Sequence, residues 1–100
     1  MTKSFSVPAV KRIFESFEGK RLDITLRSED KFVLEPDHEV DHETYGEDGR
    51  WLCWIVEAKS GSHPKFHKLF KPGGGLDIYE EDVAEIYCAQ SNQVLYSRHT

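Results

Sequence analysis

Residues 51–56, Trp-Leu-Cys-Trp-Ile-Val, are six consecutive large apolar side chains in a chain of 100 residues. The run is far shorter than the roughly 20 apolar residues of a membrane-spanning helix. It is rich in aromatic and β-branched residues, which favour strands. A strand wet on one side would alternate polar and apolar, and this one does not. The run therefore predicts a strand buried on both faces, with Trp51, Cys53 and Ile55 to one side and Leu52, Trp54 and Val56 to the other.

The flanking segments can be read outward from that centre. Residues 6–18 predict a helix: Ser6 can cap it and Pro8 fits its first turn. Val10, Ile13, Phe14 and Phe17 line one face, and Gly19 suits a left-handed stop. Residues 21–27 alternate, with Leu22, Ile24 and Leu26 turned inward. Ser28-Glu29-Asp30 makes a turn, and residues 31–35 return as a second strand. Residues 36–49 fit either an extended arm or a short helix, and we favour the arm, pairing with the Trp51 strand. Pro36 then marks a bulge or an edge, and the Asp48-Gly49 pair closes a turn that begins at Tyr45. Past residue 58 a loop leads to a short strand over residues 65–71 and a Gly73-Gly74-Gly75 turn. A strand follows over residues 76–79, then residues 79–89 as a helical turn or a kink into a strand, and a last strand over 93–96.

These elements predict one domain over residues 1–100. Its fold class is α+β: an N-terminal helix packed on a strongly bent, mainly antiparallel sheet, or a small SH3-like barrel, of five or six strands. The order of helix, alternating strand and late Leu-Asp-Ile-Tyr-Glu-Glu-Asp-Val-Ala-Glu-Ile (residues 76–86) resembles the Sm-like barrels in architecture. The Asp-Met-Asn type of RNA-contacting loop is absent, as is the Arg-Gly pair before the late strand. The resemblance thus implies a fold and no membership.

Charge narrows the function. The net charge is −5, so general binding to a phosphate backbone is not expected. Residues 29–48 hold nine acidic side chains against Lys31 alone, a local charge of −8. The first residues contain no apolar run that could serve as a signal peptide. Cys53 and Cys88 both lie in apolar strand contexts and are expected to be buried free thiols in a cytoplasmic protein. Two cysteines cannot form a four-thiolate zinc site.

His38-Glu39-Val40-Asp41-His42 matches the H-E-x-x-H pattern, in which two histidines one helical turn apart hold zinc and the glutamate acts on a water. A zinc-dependent hydrolase is thus one alternative, with Glu80, Glu81 or Glu85 as third ligand. That mechanism needs a helix. If the segment is extended, the imidazoles lie about 13 Å apart and cannot share one ion. His63 and His67 repeat the spacing among lysines and read as solvated. No Ser or Cys sits in a nucleophile-elbow context, and the glycine triplet lacks the lysine-serine partner of a phosphate loop.

In the extended reading Glu35, Asp37, Glu39, Asp41 and Glu43 project about 6.6 Å apart along one face. Such a comb either keeps an edge strand soluble or docks on a basic partner. The preferred reading is a non-enzymatic binding domain of inhibitor or immunity type, needing no cofactor and binding neither nucleic acid nor membrane. Glu35, Asp37, Glu39, Asp41, Glu43, Glu47 and Asp48 would face a basic protein surface, with Tyr45 as anchor. A third reading is a subunit that forms a homodimer through an exposed sheet edge.

Overall fold

The computed structural model describes residues 9–37 and 50–97. In chain order these form α1 (Ala9–Ser16), β1 (Leu22–Leu26), β2 (Lys31–Pro36), β3 (Arg50–Ser60), α2 (Phe66–Leu69), β4 (Gly75–Tyr79), a 3₁₀ turn (Glu80–Asp82), β5 (Val83–Cys88) and β6 (Gln93–Ser97). The six strands make one antiparallel sheet in the order β4-β3-β2-β1-β5-β6. The architecture is α+β, as the alternation of segments predicts, and the sheet is not closed. No described helix is long and apolar enough to cross a membrane.

The period of two in β1 and β2 decides which side is inside. Leu22, Ile24, Phe32, Leu34 and Pro36 are buried, while the residues between them are half-buried or exposed. The sheet continues this inner face through Trp51, Cys53 and Ile55 on β3, Ile78 on β4, and Val83, Ile86 and Cys88 on β5. Both helices belong to this side. Val10 and Phe14 of α1 are buried, and the Phe14 ring meets Trp51 edge-on at 6.1 Å. Phe66 of α2 packs on Phe32 at 5.3 Å. Each large apolar side chain withdrawn from water in this way contributes about 1.5–3 kcal/mol.

α1 stops at Ser16, three residues before Gly19. Gly19 does take the expected left-handed conformation, φ +75°, but in the turn that follows, where its N–H donates to Pro36 O of β2 and not to the helix. Glu29 also adopts a positive φ, 75°, in the β1–β2 turn.

Three sequence expectations are corrected. Residues 65–71 do not form a strand. Phe66 and Phe70 both serve the same apolar contact with Phe32, which i, i+4 helical spacing satisfies and strand alternation also permits, and a helical turn forms. Pro36 marks neither a bulge nor an edge; it ends β2, an interior strand, opposite Cys53. The register shifts of that pair fall at Lys31/Phe32 and Val33/Leu34 instead. Finally, β3 is not buried on both faces. Trp51, Cys53 and Ile55 are 4% exposed or less, but Trp54 is 42% exposed. The doubtful stretch 79–89 resolves into the 3₁₀ turn followed by β5.

Candidate functional site

The second face of the sheet is where apolar and charged side chains meet in the open. It takes the alternate residues: Asp23 of β1, Val33 and Glu35 of β2, Leu52, Trp54 and, past the register shift, Glu57 of β3, and Asp77 of β4. None of these belongs to the buried core or to the apolar residues packed against it. Trp54 stands at the centre, opposite Glu35 on one side and Gly75 on the other. A Cβ at Gly75 would lie 3.2 Å from the Trp54 ring and 3.3 Å from Leu52, so the absent side chain is what lets both lean over β4.

Asp37, just past the end of β2, holds both indoles. The Trp54 Nε1–H donates to the Asp37 carboxylate at 3.0 Å, and the Trp51 Nε1–H donates to the Asp37 backbone oxygen at 3.3 Å. Asp37 N–H in turn donates to Leu52 O, fixing the residue to β3. One residue thereby sets the orientation of a core tryptophan and of an exposed one. At a surface water can accept the Trp54 N–H, so the carboxylate's effect is to fix the orientation of the ring.

The remaining charges on this face form exposed pairs. Arg21 Nε lies 3.4 Å from Glu35 Oε2, Lys59 Nζ 3.4 Å from Asp23 Oδ1, and Arg50 Nη1 4.0 Å from Asp77 Oδ2. Each contributes at most about 1 kcal/mol, so they set the electrostatic pattern more than the stability.

Of the residues expected to dock a partner, the structure describes Glu35, which pairs with Arg21, and Asp37, which holds the indoles. Glu39, Asp41, Glu43, Tyr45, Glu47 and Asp48 lie outside the described residues. So do His38 and His42, and with them the H-E-x-x-H pattern. Among the described residues no three His, Cys, Asp or Glu side chains come together in a way that could hold a metal ion. Glu80 and Glu81 lie in the 3₁₀ turn and Glu85 on β5, opposite Thr25.

Both cysteines are buried free thiols. Burial pushes the Cys53 thiol well above the ordinary thiol range, and the Asp37 and Asp77 carboxylates add to the effect. Hydrogen bonding by Ser91, through its side chain and then its backbone, draws the Cys88 thiol below that range.

Sequence reasoning singled out the carboxylates and missed Trp54 as a surface residue. The register that sets Trp54 opposite Glu35 emerges only in the folded sheet, so the run itself carried no signal of the open face.

The chain matches no protein-family model, no curated protein and no solved structure.

Proposed function

We propose that this domain is a non-enzymatic binding module that docks on a basic surface of a partner protein. It does so through the open sheet face around Trp54 and the acid-rich run that leaves that face at Asp37. The single observation that carries the reading is Trp54, a large aromatic held at 42% exposure by a carboxylate, with Leu52 beside it and Glu35 across from it. Interfaces concentrate their binding energy in such aromatic anchors, surrounded by polar groups that exclude water. Carboxylates around the anchor, and the −8 of residues 29–48, would steer a basic partner and set its orientation. Glu39, Asp41, Glu43, Tyr45, Glu47 and Asp48 would extend the same surface.

A strongly bent sheet belongs to this reading, because bending turns the Trp54 face outward. The support is topological. Three strands separate β4 from β5, about 19 Å across a flat sheet, yet only Glu80–Asp82 join them. Those residues also reach the end of β1, where Arg27 N–H donates to Asp82 O at 2.7 Å. A 3₁₀ connection rising about 2 Å per residue falls short of the flat distance, which supports a bend between β4 and β5.

The test is affinity capture at low salt with the wild-type chain, with Trp54→Ala, and with a triple charge reversal at Glu39, Asp41 and Glu43. A basic protein retained by the wild type, released by salt and lost with both variants supports the reading. Retention of the same protein by the charge-reversed variant contradicts it.

A second reading, self-association through a sheet edge, is favoured by β6. This edge strand carries no charged side chain between Gln93 and Ser97, and Val94 is 53% exposed. Unprotected edges pair readily. Light scattering across concentration tests it: a constant monomer mass excludes this pairing.

A further inference from the structure

The loop joining β3 to β4 carries a surface of the opposite sign. From Ala58 to Leu76 the chain holds Lys59, Lys65, Lys68 and Lys71 and no carboxylate, in a protein of net charge −5. The loop is tied at both ends. Asp30 Oδ1 accepts the Ser62 N–H at 3.3 Å, and a Cβ on Gly61 would overlap the Phe66 ring. At the other end Gly73 N–H donates to Ile55 O at 2.7 Å, and Ile55 N–H donates to Gly74 O at 2.8 Å. Between these ties Phe66 and Phe70 each pack on Phe32 at 5.3 Å and on each other at 5.2 Å. Lys65 N–H donates to His63 Nδ1 at 3.0 Å and so fixes the entry to α2.

Leu69 stands on this platform, 57% exposed, more than any other large apolar side chain among the described residues. His67 and Lys68 precede it, Lys65 lies one turn back, and Lys71 follows; all four are exposed. An apolar side chain flanked in sequence by exposed lysines, on a base held by ring contacts, has the layout of an anchor with a charged rim.

We propose that this platform is a docking site for an acidic segment of another protein, with Leu69 seated against an apolar residue of that segment and the lysines pairing its carboxylates. Charge and footprint favour a short acidic segment over an extended polyanion. The rest of the chain is more acidic than the whole, and a nucleic acid or an anionic bilayer reaching past the loop would meet that repulsion within a Debye length of about 8 Å. A phosphate backbone would also leave Leu69 unused. The inference does not rest on the Trp54 reading, since α2 and its lysines follow the last residues of β3 and only the loop's glycines return beside Ile55 and Trp54.

The experiment is fluorescence anisotropy of the full chain against a labelled short peptide of alternating glutamate and leucine. The comparators are an all-glutamate peptide, an oligothymidylate and phosphatidylserine vesicles. The alternating peptide should bind, more weakly as salt rises and more tightly than the other three. Lys65→Glu with Lys68→Glu, and separately Leu69→Ser, should each weaken it about tenfold or more. Trp54→Ala should bind it like wild type, which separates the two surfaces. The replaced side chains are exposed, so far-UV circular dichroism should be unchanged. No binding of the peptide, binding undiminished in the variants, or tighter binding of oligothymidylate or vesicles would each overturn the proposal.

Discussion

Asp37 does two jobs that come apart by substitution. Its side chain holds Trp54 and its backbone oxygen holds Trp51. Asp37→Ala should therefore release the Trp54 indole and keep the backbone bond to Trp51, at a cost of about 1 kcal/mol, while Asp37→Asn keeps an acceptor and costs less. Tryptophan emission and urea denaturation check both. Cys53 makes a prediction in pH. Its thiol is raised in the folded chain, so above the unfolded value of about 8.5 the unfolded state releases a proton that the folded state keeps. Stability from this group is complete below that pH and falls as pH rises, by about 1.4 kcal/mol per unit. Chemical denaturation of wild type against Cys53→Ala measures it: the variant is less stable at neutral pH, by about 1–3 kcal/mol for the cavity, and loses less on going alkaline. Glu29 sits at φ of 75°, a conformation that disfavours a side chain, so Glu29→Gly should raise stability by up to about 1 kcal/mol.

At the scale of elements, the β3–β4 loop depends on its aromatic cluster. Phe66→Ala should cost about 3–5 kcal/mol, because Phe66 is 2% exposed and touches Phe32 and Phe70 at once. Thermal unfolding followed by circular dichroism reads the loss. This is also where sequence reasoning was least informed. Residues 65–71 hold apolar side chains at 66, 69 and 70, a pattern too short to separate a helical turn from a strand, and the choice was made by contacts with Phe32 thirty-odd residues away in sequence. The β1 strand was legible because Leu22, Ile24 and Leu26 alternate with polar residues, and the helix because Val10, Ile13, Phe14 and Phe17 recur on one face. The central run misled for a different reason. Its composition gave no sign of which face stays open, since that depends on where the helices pack, and both pack against Trp51's side. Glu35 and Asp37 were legible as acidic surface, but their partners Arg21 and the two indoles were not, because those contacts span 14 and 17 residues.

For the molecule as a whole, the described chain measures 41 × 31 × 27 Å, and its chemistry is divided along β3. Asp37, from which the acid-rich run departs, lies beside the first residues of that strand, and the lysine-bearing loop follows its last. From Leu52, which Asp37 bonds, to Ser60 the strand runs about 26 Å, about three screening lengths, so Asp37 and the start of the loop can present different signs even though the loop's glycines return beside Ile55. The account rests on one asymmetry: the sheet is dry on Trp51's side and open on Trp54's. Acrylamide quenching of two single-tryptophan chains, Trp51→Phe and Trp54→Phe, each first checked for native circular dichroism, tests it directly. The chain that keeps Trp54 should emit to the red and quench readily, and the one that keeps Trp51 should emit to the blue and resist. Equal shielding of the two indoles would mean that the outer face is covered, and would contradict the account.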